Sequence, residues 1–293
     1  MKSYIDLSIL IPTYKRLVLL NECLLSITKQ EVTPNEILIG NDDSSMLLSQ
    51  EQLKKKFNLP ILVFNRKIPL GQSRNVQDLI SNSNSTWLMI LHDDDLLLEN
   101  SLKNFFSYVS HDKSMVYFGM QKLLTNKGLQ TDKEGVIFNN QFKRNSTLND
   151  MSTFDIVLNQ SVPSNGFIIN TNTAKSIEYT YNIKFSNYGL IKDACDYAFT
   201  WKCFKHNLNF NFVPLFTTAY RITEGSVSNS KNVTILESFL VELDIFLNFN
   251  LIKSLKIFIK KKLNKRYTKA LKTCIRIKNW KLLYQLILLK LKS

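Results

Sequence analysis

The chain has 293 residues, 44% of them apolar, and a formal net charge of +14; this is length for a full core and the composition of a globular protein. No apolar run approaches the roughly 18–20 residues of a membrane span, and no basic and apolar leader opens the chain, so neither a spanning helix nor a signal peptide is expected. Four cysteines (Cys23, Cys195, Cys203, Cys274) without CxxC spacing argue against zinc and for reduced thiols in a cytoplasmic protein.

Ser8–Ile11 reads as a buried strand whose ladder ends at Pro12, opening a loop through Thr13, Tyr14, Lys15 and Arg16. Leu17, Leu20, Cys23, Leu24 and Ile27 then fall at helical spacing. Glu36–Gly40 is a second strand, ending in Asn41-Asp42-Asp43-Ser44-Ser45. A helix over about Leu47–Phe57 and a strand over Ile61–Asn65 follow, and Gly71-Gln72-Ser73-Arg74-Asn75 opens a helix reaching Ser81. The apolar run Leu88-Met89-Ile90-Leu91 continues to His92 and stops in three carboxylates, Asp93, Asp94 and Asp95.

Strands and helices that alternate in this way predict a parallel sheet with helices on its faces. Ligands of such sheets bind beyond the carboxyl ends of the strands. Neither G-x-G-x-x-G nor G-x-x-x-x-G-K-[ST] stands at any of these junctions, so both common phosphate fingerprints are absent. Instead two loops are acidic and one, at Arg74, is basic beside a helix start. Adjacent carboxylates repel and resist burial, so an oxygen-only cluster suits a hard divalent cation, Mg²⁺ or Mn²⁺, completed by substrate phosphates. Taken alone, an acidic turn capping the next helix would explain Asp93–Asp95 as well.

These motifs together resemble the family 2 glycosyltransferases of GT-A fold. Ser8 to Arg16 is similar to that family's opening strand, Asn41–Ser45 to its nucleotide-contacting V-D-D-G-S loop, Ser73-Arg74-Asn75 to its A-R-N segment, and Leu91–Asp95 to its L-D-x-D-D metal element. The match is specific over about residues 6–125, weaker to about 230 and absent beyond. It departs from the pattern where Ser44 replaces Gly and His92 replaces the first Asp. The resemblance implies a Rossmann-like mixed sheet flanked by helices. It places Pro12, Thr13, Tyr14, Arg16, Asp42, Asp43, Arg74, Asp93 and Arg221 at the donor, and Asp94 and Asp95 at a Mn²⁺ or Mg²⁺ ion. His92 is left to ligate, to meet the ribose, or to cap the strand.

Met115–Met120 reads as a strand behind the acidic loop, Leu123–Asp150 as a polar, turn-rich insert, and Phe167–Asn170 as a strand. Ser161–Gly166 precedes that last strand; in the resembling family this segment sits near the acceptor sugar, and an ordinary turn explains it as well. Asp196-Tyr197 resembles the (E)-D-Y-x-L helix start whose Asp is the family's catalytic base, with Asp193 as the rival, taken to be on the same helix face. Ala219–Ser228 resembles the loop after the last core strand, with Thr223 in place of a His.

All 24 acidic residues lie at or before Asp244, whereas Lys253 to the end carries 12 Lys and 2 Arg. Residues 233–293 read as basic amphipathic helices. Leu255, Ile257, Phe258 and Leu263 alternate with lysines, and Trp280, Leu283, Ile287 and Leu291 form a stripe. Segment 251–293 is therefore expected to meet an anionic membrane surface, the alternative being a helical hairpin packed on the body or on a second subunit with its lysines solvated. Stacking aromatics and nucleic-acid motifs are missing, so no nucleic-acid partner is expected.

The expected organisation is a catalytic domain over 1–230 (nucleotide and metal half 1–125, acceptor half 126–230) and a basic helical extension over 231–293. The resemblance implies an inverting, metal-dependent hexosyltransferase. It would move a sugar from a nucleotide diphosphate donor, UDP before thymidine diphosphate, to a hydroxyl of a glycan or lipid-linked glycan in bacterial surface polysaccharide synthesis. Such an enzyme would sit peripherally on the inner face of the cell membrane. The alternative from another class is a non-catalytic nucleotide-sugar or glycan-binding module on the same fold.

Overall fold

The computed structural model describes residues 2–110, 112–186, 188–222, 231–249 and 253–292. By contacts the chain divides into two units, Met1–Tyr179 with Thr200–Thr223, and Thr180–Phe199 with Glu224–Ser293.

The first unit is built on β1 (Ser3–Thr13), whose run from Leu7 to Thr13 is buried throughout. Alternation along a strand sends Leu7, Ile9 and Ile11 to one face and Ser8 and Leu10 to the other, and covering both requires helices on both sides. α1 (Leu17–Thr28) packs Leu20, Cys23, Leu24 and Ile27 into the cluster that contains Leu7, Ile9 and Ile11. β2 (Val32–Asn41), α2 (Gln50–Phe57) and β3 (Ile61–Asn65) follow, and α3 (Gln72–Asn82) packs against β1 and β2. β4 (Trp87–Ile90) pairs with β1. β1, β2, β3 and β4 are mutually parallel, which puts the residues after Thr13, Asn41 and Ile90 at one edge of the sheet.

After β5 (Leu96–Leu97) and α4 (Ser101–Phe106) come β6 (Met115–Thr125), β7 (Gly128–Leu129) and α5 (Asp132–Asn140). A single 3₁₀ turn (Ser146–Asp150), α6 (Thr153–Leu158), β8 (Ile168–Asn170) and α7 (Thr171–Ile177) lead to α8 (Cys195–Lys205) and β9 (Asn209–Arg221). The sheet order is β3-β2-β1-β4-β8-β6-β9-β5, with β7 beside β6. β8 is antiparallel to β4 and to β6, while β6 and β9 are parallel, so the sheet is mixed.

Three expectations are corrected here. Pro12 does not end the ladder: it lies inside β1, opposite Gly40 of β2. Along β1, Leu10 accepts from Leu91 on the β4 side and Thr13 accepts from Asp42 on the β2 side. By alternation Pro12 points its ring nitrogen to the β4 side, where β4 has already ended, so no donor is missed. Leu123–Asp150 is not a turn-rich insert. It finishes β6 and contains α5, started by a capping box in which Thr131 and Glu134 bind each other's backbone N–H. The strand at the acidic loop also stops at Ile90, two residues before His92.

The second unit holds the start of α8 and three helices, α9 (Lys231–Asn248), α10 (Lys253–Arg276) and α11 (Trp280–Lys292). α10 buries Ile259, Leu263, Tyr267, Ala270 and Cys274, with Tyr267 edge-on to Phe239 of α9 at 5.3 Å. α11 buries Leu282 and Leu286. Ile257, Phe258, Trp280, Tyr284 and Ile287 remain exposed. No helix of the described residues is long and apolar enough to cross a membrane. All four cysteines are buried.

Candidate active site

The carboxyl ends of β1, β2 and β4 bring the acidic loops together. Thr13 donates its hydroxyl to Asp93 Oδ2 at 2.7 Å. Arg16, in the loop before α1, places Nη1 2.7 Å from Asp94 Oδ2 and 3.5 Å from Asp93 Oδ1. Asp93, Asp94 and Asp95 are all buried. Burial pushes Asp93 above the usual carboxylate range, against the pull of Thr13. Asp95, with no exposed surface, is pushed up to about 7, again chiefly by burial. Burial and these carboxylates also push the neighbouring Cys23 thiol well up, so it stays protonated.

Asp95 is held on both oxygens. Arg221 donates its backbone N–H to Oδ1 at 2.7 Å, and the Asn165 amide donates to Oδ2. Asn165 in turn accepts from Gln121 Nε2 at 2.7 Å, and Gln121 Oε1 accepts from Arg144 Nη1 at 3.0 Å. Arg144, Gln121 and Asn165 are buried, so a directed chain of donors runs from a guanidinium to a carboxylate through two amides. Burial pulls Arg144 down to about 9, and its other contacts are neutral, the Ser161 carbonyl at 2.6 Å among them. Gly166 has a φ of 74°, and a Cβ there would come 2.5 Å from Thr218, so the turn presenting Asn165 requires glycine.

Asp42 and Asp43 take different parts. Asp42 receives the backbone N–H groups of Leu70 and Gly71, each at 2.7 Å, one on each oxygen, and so fixes the turn into α3. Asp43 closes a short turn with Ser45, whose hydroxyl at 2.6 Å and N–H hold the carboxylate below its usual range. Gly40 lets the Asn75 amide reach its carbonyl at 2.7 Å; a Cβ at residue 40 would collide with that amide.

The remaining expected residues are placed as follows. Pro12 is buried in β1, and Tyr14 is exposed with Lys15 over its ring. Arg74 is exposed in the first turn of α3 and makes no hydrogen bond or ion pair among the described residues, so it is not drawn into the acidic cluster. Arg221 donates Nε to the Asp94 carbonyl at 2.8 Å and pairs with Glu22. Thr223–Ser228 lies outside the described residues. In the second unit Asp196 stands in the first turn of α8, half-buried. Asp193 precedes the helix, so the two do not share a helix face as expected.

His92, Asp94 and Asp95 each offer one ligand atom, all within 4.8 Å of one another. Bonds of about 2.1 Å place two ligands of one ion at most about 4.2 Å apart, close to the spacing of these atoms. The two carboxylates suit Mn²⁺ or Mg²⁺ and the imidazole a transition ion such as Mn²⁺, so the donor set of Asp94, Asp95 and His92 could hold a divalent ion. Asn165, Gln121, Arg144 and Glu22 were not legible as site residues, because their partners are distant in sequence, 23 residues for Arg144 and Gln121, 44 for Gln121 and Asn165 and 70 for Asn165 and Asp95.

The family model for glycosyl transferase family 2 matches residues 8–161. The chain belongs to that family. Among curated members, the abequosyltransferase RfbV of Salmonella typhimurium is 29% identical over 152 residues, 47% of this chain and 45% of the relative. The GalNAc(5)-diNAcBac-PP-undecaprenol beta-1,3-glucosyltransferase of Campylobacter jejuni is 25% identical over 138 residues, 44% of this chain and 45% of the relative. The chain thus matches less than half the length of either. The crystal structure of S. aureus TarS 1–349 with UDP-GlcNAc superposes with a TM-score of 0.61 at 19% identity, covering 95% of this chain and 76% of that one. The mannosyltransferase PcManGT of Pyrobaculum calidifontis, in complex with GDP-Man and Mn²⁺, gives 0.61 at 10% identity, covering 92% and 73%. At these identities the likeness is one of fold, and the fold of this family 2 chain is GT-A.

Proposed function

We propose that this family 2 chain is an inverting, metal-dependent glycosyltransferase that moves a hexose from a nucleotide diphosphate to a glycan hydroxyl. The observation that carries the reading is the convergence of Thr13, Arg16, Asp93, Asp94, Asp95 and His92 at one sheet edge, with three candidate ligand atoms within 4.8 Å of one another. Asp94, Asp95 and His92 would hold Mn²⁺ or Mg²⁺, which supplies charge to the departing diphosphate. Asp43, with one oxygen outside its Ser45 turn, meets the base or ribose, and Asp42 shapes the same loop. Arg16 and Arg74 give guanidinium donors for the diphosphate, and Arg221 tethers the acidic loop.

Asp196, or Asp193, takes the proton of the acceptor hydroxyl in a single displacement, which inverts the anomeric centre. UDP is the donor nucleotide preferred here, thymidine diphosphate the alternative; a TarS complex holds UDP-GlcNAc, which supports the first. The name of the Campylobacter relative specifies a lipid-linked acceptor, which supports a lipid-linked glycan of a bacterial surface polysaccharide as acceptor here. The basic helices α10 and α11 would hold the protein on the inner face of the cell membrane.

Calorimetric titration of UDP, with and without Mn²⁺, tests the donor site in wild type and Asp94→Ala. Binding that needs Mn²⁺ and vanishes in the variant is expected. No binding of any nucleotide under any metal would make the acidic loops structural and end the reading.

A further inference from the structure

Helix α9 carries three buried carboxylates, Glu237, Glu242 and Asp244, each at most 1% exposed. Glu237 and Asp244 face the segment that leads into α8, and Glu242 faces the first turn of α8 itself. Asp244 accepts from the Tyr181 hydroxyl at 2.7 Å and the Lys184 N–H at 3.0 Å. Glu242 accepts from the Tyr197 hydroxyl at 2.8 Å and is neutralised by Arg266 and Lys262 of α10 at 2.6 and 2.8 Å. Glu237 is different in kind. Its Oε2 accepts from three consecutive backbone N–H groups, Lys192 at 3.1 Å, Asp193 at 2.6 Å and Ala194 at 3.0 Å, and its Oε1 accepts from the Tyr188 hydroxyl at 2.8 Å.

Three successive N–H groups turned toward one point form an anion-binding nest, here at the start of a helix whose dipole also favours negative charge. The nest is filled by the protein's own carboxylate. The peptide units it fixes are those of Asp193 itself and of the two residues flanking it, and Asp196 follows within one helical turn.

We propose that Glu237 is a positioning residue for the base: by filling this nest it sets the direction of the Asp193 and Asp196 carboxylates. The inference rests on the reading that one of them deprotonates the acceptor. It gives α9 a part in turnover that a membrane-binding extension would not have. A Glu237→Gln side chain keeps the volume but removes the negative charge on which the three N–H groups and the helix dipole converge. The nest then loosens, and a displacement of the base by about 1 Å costs roughly 100-fold in rate.

The test uses the full chain and reads amide hydrogen exchange across residues 188–196, kcat and KM with a UDP-sugar and acceptor, and UDP affinity with Mn²⁺. In Glu237→Gln, exchange at residues 192–194 should rise about tenfold or more, and kcat should fall roughly 10- to 100-fold. UDP affinity and donor KM should stay within about twofold, since they report the donor site of the other unit. In Glu237→Ala, added acetate should enter the nest and recover part of the lost kcat. Faster exchange with unchanged kcat would overturn the proposal and leave Glu237 a structural cap, as would unchanged exchange. Should neither variant fold, Tyr188→Phe takes their place, and faster exchange at 192–194 without a fall in kcat refutes it there too. A wild-type chain that binds UDP but transfers no sugar overturns the parent reading, and this one with it; turnover that Glu237→Gln retains overturns this one alone.

Discussion

Asp95 carries the most consequential single contact in the first unit. Its carboxylate is buried, pushed up to about 7 by desolvation, and yet reached by two donors that favour its charged form, Arg221 N–H and the Asn165 amide. Desolvation wins over the pull of His92, whose Nδ1 lies 3.8 Å from Oδ2, and over the Arg221 N–H, while Asp94 and Asp93 add to the rise; Arg144 acts only through two amides. A carboxylate whose folded pKa lies above its unfolded value favours the folded state most at low pH. That contribution is lost as pH rises through about 7, so without metal the protein should lose stability between about pH 4 and 7 from this group. Metal binding needs the ionised form, so Mn²⁺ affinity should rise across the same interval. The rise in melting temperature on adding Mn²⁺ should be larger at pH 8 than at pH 6, and equal shifts would remove Asp95 from the ligand set. Asn165→Ala should weaken Mn²⁺ binding about 10- to 100-fold, the usual cost of losing a partner behind a metal ligand, measured by Mn²⁺ electron paramagnetic resonance at pH 8. An unchanged affinity would make the Arg144–Gln121–Asn165 chain a packing feature only.

At the level of elements, the strand–helix alternation to β4 was legible because periodicity 2 and 3.6 are local properties of the chain. Ile61–Asn65 matches β3 residue for residue, and α1 and α3 match to within a residue or two. What was not legible depends on neighbours. Pro12 stays in β1 because β4 ends where it does, a fact about pairing that no window of sequence contains. The acidic cluster could be read because two strand ends announce their carboxylates, while its supports are uncharged amides of β6 and of the Ser161–Gly166 segment, Gln121 and Asn165, and an arginine, Arg144, whose pairing with them no local pattern marks. α5 is a case where a local signal was present and outweighed by composition: Thr131-Asp132-Lys133-Glu134 is a capping box inside a polar stretch. Thr131→Ala should therefore cost about 1 kcal/mol of stability by removing one cap acceptor, read as a lower denaturant midpoint with unchanged slope. No change in midpoint would mean that packing of α5 on β6, with Gly135 close against Phe216, suffices without the cap.

At the level of the molecule, the charge asymmetry of the sequence becomes a division of labour within the second unit's helices. Lys262 and Arg266 face inward to Glu242, and Leu263, Tyr267, Leu282 and Leu286 are buried, so α10 and α11 are packed elements of that unit. Of the stripe expected on α11, Trp280 and Ile287 are exposed and Leu283 is half-buried, while the burial of the Leu291 side chain lies outside what the structure describes. The residues that turn inward are Leu282 and Leu286, and Tyr284 is exposed with Trp280 and Ile287 at helical spacing. Lys261, Lys265 and Lys281 are exposed on the same two helices, as is Phe258. An exposed surface that mixes aromatic rings and lysines, with no acid from Lys253 onward, has the chemistry of an interface with anionic lipid. Each basic residue near such a surface contributes about 1 kcal/mol. Changing Lys261, Lys265 and Lys281 together to Gln should then reduce partition onto phosphatidylserine-containing vesicles by about 3 kcal/mol, roughly 100-fold. Trp280→Ala with Tyr284→Ala should weaken binding at all salt concentrations, because apolar insertion is not screened, whereas the lysine term should fade as salt rises. Equal sedimentation with neutral and anionic vesicles would refute the electrostatic part. Absent vesicle binding, with a dimer in solution that the Trp280 and Tyr284 changes dissolve, would assign the same face to a second copy of the chain.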